Sequence, residues 1–323
     1  MGLNKIFVFV NNKTGCQSGG NIYNVQIGHS LQRLGYTVFH TSDIYAKDLF
    51  KDNYIFILDS IIIDEYFDLD TYRNQKAYFL VHLWPSFNKD IDEKKRVLLL
   101  EKQKEICQSF PIIFAGEHSM NQCSSFYKGK LLNHFIIPPA VHSNWRKKNE
   151  YSPTANHFLI IGNLCKRKRQ LEVVELFSSL SNSLNLSIVG RIDDKNYGNK
   201  ILQKINSCSN RIVLHEEVEY HRMNDFMLNY DAVILFSEEE NNSMALLESI
   251  ASGIPIITTP TGNYEAYREH KVGYVLNGFE VSELSTVIIQ MHTDALFYKQ
   301  QCNSVANFKV NSWDKSASLF LQL

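Results

Sequence analysis

The stretch DAVILFSEEENNSMALLESIASGIPIITTP, residues 231–260, sets two short apolar runs on either side of an amphipathic segment. The runs 232–236 (AVILF) and 254–259 (IPIITT) are rich in β-branched residues and too short for helices, so they read as buried strands. Between them Ser243 is a good N-cap residue, and a helix is expected to start there. A strand, a crossover helix and a second strand form a parallel unit, and parallel sheets carry helices on both faces.

The same alternation extends in both directions. Downstream of a proline-containing stretch, strands are expected at 157–162, 185–189, 211–215, 232–236, 254–259 and 273–276. Upstream they are expected at 5–10, 36–40, 54–59, 77–82, 111–115 and 134–137. The stretch IIPPAVHSNWRKKNEYSPTAN (136–156), interrupted by Pro138, Pro139 and Pro153, reads as the connection between two series. Single cores stop growing near roughly 250 residues, so 323 residues imply two domains, each doubly wound α/β. The expected boundaries are 1–145, 155–308 and a final helix at 309–323, capped at Ser312, that returns to the first domain.

Composition narrows the function classes. With 44% hydrophobic and 21% charged residues the chain is an ordinary globular protein. A formal net charge of −1 supplies no global field for nucleic acid, so none is expected as a partner. Six cysteines (Cys16, Cys107, Cys123, Cys165, Cys208, Cys302) stand singly, without metal-ligand or disulfide-framework spacing, which fits reduced thiols in the cytoplasm. The first apolar run, Ile6 to Val10, is too short for a signal peptide, and Ile6 stands where a myristoylation motif after Gly2 needs Ser or Thr.

In open parallel sheets ligands bind beyond the carboxyl ends of the strands, at helix N-termini. Three loops there carry chemistry. In the first, Glu240 precedes the helix begun at Ser243 and Glu248 lies inside it, a Glu-x7-Glu spacing. The N–H groups of Met244 and Ala245 are first-turn donors suited to a phosphate, and two carboxylates beside an anion site suit hydroxyls. In the second, IIGNLCKRKRQLEVVELF, the basic run Lys166 to Arg169 opens a helix against its own macrodipole, a cost that an anionic ligand would remove. Taken alone, such a run is a solvated face. In the third, Gly19 and Gly20 sit between the first strand and a helix expected from Ile22 to Leu34, where glycine admits a ligand close to the backbone. His82 ends the strand AYFLVH at its carboxyl end.

The segment from Asp231 to Glu265 resembles the donor-binding segment of retaining GT-B enzymes, glycosyltransferase family four in particular. The Gly-Gly loop, the Gly35-Tyr36-Thr37-Val38 strand and the GEHSMNQC and IIPPAV segments are similar to the family's first domain. The resemblance implies a GT-B fold, a donor half in the C-terminal domain and an acceptor half in the N-terminal one. It implies that Glu240 contacts donor-sugar hydroxyls, Glu248 the ribose and His82 the sugar. It also implies that Lys168, in G-x-x-x-x-x-K counted from Gly162, meets the leaving diphosphate, with Gly19, Gly20, Ser243, Met244 and Ala245 lining the donor. The sequence departs from the family at Asn163, where a cation is common, at Asn241, Asn242 and Ser243 in place of Gly-Phe-Gly, and at Pro139 and Ala140. Arg167 or Arg169 is positioned to compensate for Asn163.

The expected activity is therefore sugar transfer with retention from a nucleoside diphosphate sugar to a glycan, lipid-linked or small-molecule hydroxyl, in polysaccharide or glycoconjugate synthesis. No cofactor or metal is expected, since Asp193-Asp194 has no second ligand set. The competing readings are a silent GT-B-like binding subunit, and an epimerase or phosphorylase on the same fold. The stretch DIDEKKRVLLLEKQKEI (90–106) has two readings, an ordinary amphipathic helix or a peripheral contact with the inner face of a membrane.

Overall fold

The computed structural model describes residues 5–11, 18–43, 53–64, 67–89, 91–208 and 211–323. Gly2, Cys16 and the 12–17 part of the Gly-Gly loop lie outside them. Contacts divide the chain into one unit of Met1–Ala140 with Asn311–Leu323, and another of Val141–Val310.

In the first unit β1 (Ile6–Val10), β2 (Thr37–Thr41), β3 (Tyr54–Asp59), β4 (Ala77–Val81), β5 (Ile112–Phe114) and β6 (His134–Ile136) form a parallel sheet ordered β2-β1-β3-β4-β5-β6. Every residue of β3, YIFILD, is buried, as befits a strand covered on both faces. The helices are α1 (Gly19–Arg33), α2 (Glu93–Ser109) and α3 (Glu117–Phe126). Gly19 and Gly20 belong to the first turn of α1, not to the loop before it. Ser18 supplies the cap by accepting from Asn21 N, so the helix begins one turn earlier than its apolar residues indicate. On α2, Leu99 is buried while Val97 and Leu98 are exposed.

The second unit holds β7 (His157–Ile161), β8 (Asn185–Val189), β9 (Ile212–His215), β10 (Ala232–Leu235), β11 (Ile256–Thr258) and β12 (Tyr274–Val275), ordered β12-β11-β10-β7-β8-β9 and again parallel. Its helices are α4 (Gln170–Ser179), α5 (Lys195–Asn206), α6 (Tyr220–Met227), α7 (Met244–Ala251), α8 (Tyr264–Glu269), α9 (Val281–Thr293) and α10 (Ala295–Asn307). The segment entering this unit is bound to it rather than slack. Trp145 Nε1 donates to Ser252 Oγ, Tyr151 Oη to Gly253 O, and Lys148 Nζ lies 3.4 Å from the buried Asp231. Asp231 also accepts from the backbone of Asn156 and His157, fixing the start of β7.

The last helix, α11 (Trp313–Leu319), is capped by Ser312 and belongs to the first unit. Trp313 packs edge-on against Tyr23 of α1, Arg33 pairs with Asp314, and Phe320 meets Phe7 and Phe9 of β1.

Candidate functional site: charges at two strand-order reversals

Strand order reverses between β7 and β10 in the second sheet, so the loops leaving these neighbours diverge and open a crevice at their carboxyl ends. The β7 loop carries Gly162 and the basic run; the β10 loop carries Glu240. Hydrogen bonds tie the two, with Glu238 N donating to Arg167 O and Arg167 Nη1 donating to Glu239 O. Lys168 Nζ lies 2.9 Å from Glu240 Oε1, and Arg167 Nη1 lies 3.2 Å from the same oxygen. Burial alone would push the Glu240 carboxyl up, but Lys168 and then Arg167 outweigh it and hold it at about 2. Gly162, at φ 141°, leaves room for this: a Cβ there would stand 3.1 Å from Lys168 Cδ, Cε and Nζ.

The basic run does not open a helix. Lys166–Lys168 form a single 3-10 turn, Arg169 adopts a left-handed conformation at φ 51°, and α4 begins only at Gln170. The turn separates four cations that the sequence sets side by side. Lys166 is exposed, Arg167 and Lys168 face Glu240, and Arg169 turns away to Glu172, with its guanidinium over the Phe236 ring. Of the two candidates to compensate for Asn163, Arg167 is therefore the one at the crevice. Asn163 itself donates to Asp193, which also pairs with Arg191. Among the described residues no group of three or more His, Cys, Asp or Glu is arranged to hold a metal ion.

Ser243 caps α7, yet its side chain makes no capping bond, so it satisfies none of the first-turn donors, which include Met244 and Ala245. Farther along α7, Glu248 is buried and its Oε1 has no partner. Nothing offsets the desolvation, and burial pushes its carboxyl up to about 8. A buried acceptor without a donor, one helix turn beyond an open N-terminus, is suited to a hydroxyl-bearing ligand.

In the first sheet the reversal falls between β1 and β3. His82 follows β4, and a Cβ on Gly20 would stand 3.0 Å from its Cδ2, so glycine is what lets α1 start against the imidazole. The site includes two residues that the sequence pattern does not single out, Asp59 and Asn24. Asp59 ends β3, buried, accepting from Asn24 of α1 and from Ile61 N; its Oδ2 lies 3.4 Å from His82 Nε2. The one available signal is in YIFILD, where a single charged residue closes an otherwise apolar strand. His118 sits in the first turn of α3, away from these strand ends in sequence.

Known proteins share this fold. Residues 141–307, just over half of the chain, match the family of glycosyl transferases group 1. No curated protein matches in sequence. Among solved structures, a sucrose-phosphate synthase from Thermosynechococcus elongatus is similar over 98% of both chains, with a TM-score of 0.78 at 14% identity. HepE of Anabaena, in complex with UDP and glucose, is similar over 98% of both chains, with a TM-score of 0.74 at 14% identity. TarM of S. aureus, in complex with fondaparinux, alpha-GlcNAc-glycerol and UDP, is similar over 86% of this chain and 57% of its own, with a TM-score of 0.65 at 17% identity. At such identities the likeness is one of fold, two parallel six-stranded sheets of the GT-B kind. The matched family goes further: the chain belongs to the glycosyl transferases group 1 and is a glycosyltransferase.

Proposed function

We propose that the protein transfers a sugar, with retention, from a nucleoside diphosphate sugar to an acceptor hydroxyl. The observation that carries this reading is the convergence of Lys168 and Arg167 on one oxygen of Glu240 at the β7/β10 reversal. A diphosphate entering there would share both cations and the open N-terminus of α7, while Glu240 would accept from hydroxyls of the donor sugar. Glu248 would take the ribose hydroxyls that its bare Oε1 lacks. Because the barrier is charge separation, fixed cations beside the leaving diphosphate act where charge develops and lower it without a metal. The leaving phosphate then accepts the acceptor's proton, and the role we assign to His82 is contact with the donor sugar.

UDP is the favoured nucleotide, since the similar HepE and TarM structures hold it. The setting we assign is synthesis of a cell-surface polysaccharide or glycoconjugate in the cytoplasm, at the membrane's inner face when the acceptor is lipid-linked. No described helix is long and apolar enough to cross a membrane. A thermal-shift panel of UDP, GDP, ADP and their sugar conjugates tests the donor. At 100 times its dissociation constant the true ligand stabilises by ~2.7 kcal/mol, and a uniform absence of shift would remove the reading. Asn163, tied to Asp193, favours a silent binding subunit instead. Transfer with anomeric analysis of the product separates that reading, and an epimerase or phosphorylase, from ours.

A further inference from the structure

Asp59 is 1% exposed, and no lysine or arginine among the described residues lies within ion-pairing distance of it. A buried carboxylate is costly unless its oxygens are occupied. One oxygen, Oδ1, caps the short turn Ser60–Ile62 by accepting from Ile61 N at 2.9 Å, an ordinary structural duty. The other, Oδ2, accepts from Asn24 Nδ2 and faces His82 Nε2 at 3.4 Å. The imidazole is confined on its other sides. Its backbone N–H donates to Ser60 Oγ, the Tyr23 ring stands edge-on at 5.0 Å, and Gly20 abuts Cδ2. His82 Nε2 is buried and makes no hydrogen bond, and Asp59 Oδ2 is the acceptor facing it. Closing the contact takes a few tenths of an ångström, an adjustment common when a ligand fills a site.

We propose that Asp59 is a positioning residue for His82: it accepts from Nε2–H, fixes that tautomer, and leaves Nδ1 as a bare acceptor for a hydroxyl of the donor sugar. The two nitrogens of a neutral imidazole are not equivalent, and the partner of one decides what the other offers. Among the described residues, Tyr23 is a further titratable group against this pair; burial and then Asp59 raise its phenol well above the ordinary value, so it stays neutral and donates to Ile137 O. The proposal rests on the assignment of His82 to the sugar, but places a second residue, on another strand, behind it.

Asp59→Asn tests it, since asparagine keeps the capping oxygen and can turn an N–H toward His82, which forces the proton onto Nδ1. Transfer kinetics should show kcat lower by ~10–100-fold with the donor KM within about twofold. In a His82→Ala background the same change should cost less than about twofold, because the histidine through which Asp59 acts is gone. An equal loss in both backgrounds overturns the proposal while leaving His82 assigned; wild-type turnover in His82→Ala overturns the assignment and the proposal together. Nitrogen-15 spectra of wild-type protein, with the His82 signal identified by its loss in His82→Ala, provide a reading independent of whether Asp59→Asn folds. Protonation at Nε2 supports the proposal, and protonation at Nδ1 in the wild type refutes it.

Discussion

Glu240 and Glu248 stand on the same loop-helix segment, both buried, and their carboxyls are driven in opposite directions. Glu240 meets two cations and is held at about 2; Glu248 meets none and rises to about 8. Burial pushes both the same way, so the difference comes from the 3-10 turn at Lys166–Lys168, which swings Lys168 and Arg167 toward one carboxylate only. On the proposed assignment, Glu240 is already ionised before a donor arrives, whereas Glu248 is a buried acceptor whose partner the donor would supply.

The largest effect that would test this contrast comes from the cations. Lys168→Ala should lower turnover by about 10²–10³, more than it lowers donor affinity, because the diphosphate gains charge only as the bond to the sugar breaks. Steady-state kinetics beside donor binding measures the split, and an equal fall in both would mean that Lys168 serves binding alone. Lys168→Arg should recover part of the loss, since a planar guanidinium does not place its charge where a compact ammonium does.

Next in size is Glu248→Ala. By leaving a buried ribose hydroxyl without its partner, it should weaken binding of the free nucleoside diphosphate by roughly 1–3 kcal/mol, whereas Glu240→Gln should depress transfer and leave that affinity nearly intact. Calorimetry on both variants measures the division, and it collapses if both lose nucleotide to the same degree.

The pH dependence of stability sharpens the contrast further. Above the ordinary value of 4.5 the unfolded chain releases the Glu248 proton, while the folded protein keeps it up to about 8. This contribution to stability is full at low pH, declines across that window and is gone above it. Glu248→Gln should remove the decline and leave the ligand-free variant more stable than the wild type by ~1–3 kcal/mol near pH 8. Thermal melts at pH 5 and pH 8 read it; an unchanged difference between the two would show that Glu248 is hydrated. The smallest effect belongs to Lys166→Ala. Being exposed, it should change stability by less than about 0.5 kcal/mol and turnover by less than about twofold, and a loss approaching that of Lys168→Ala would dissolve the distinction within the run.

Legibility in the sequence differs between fold and site. Strands such as YIFILD and AVIL announce themselves because parallel strands buried on both faces are largely apolar, and Pro138, Pro139 and Pro153 mark the break between the two series. Gly19 and Gly20 read as loop because the start of α1 is set by the cap at Ser18, a weaker signal than apolar spacing. The orientation of each cation in the basic run is illegible, since it depends on Arg169 taking a left-handed conformation, with its guanidinium over Phe236, a residue distant in sequence. Asp59 does not stand out because its partners, Asn24 and His82, lie on elements distant in sequence.

The return of α11 to the first unit has a consequence for synthesis. The second unit is one continuous stretch, Val141–Val310, and can close as soon as it has left the ribosome. The first cannot: Phe320 covers Phe7 and Phe9, and Trp313 covers Tyr23, so a surface made before the second unit stays bare until residues beyond that unit emerge. The unit begun before the second is therefore closed after it, and in the interval its strand β1 and helix α1 are the surfaces that a chaperone would shield.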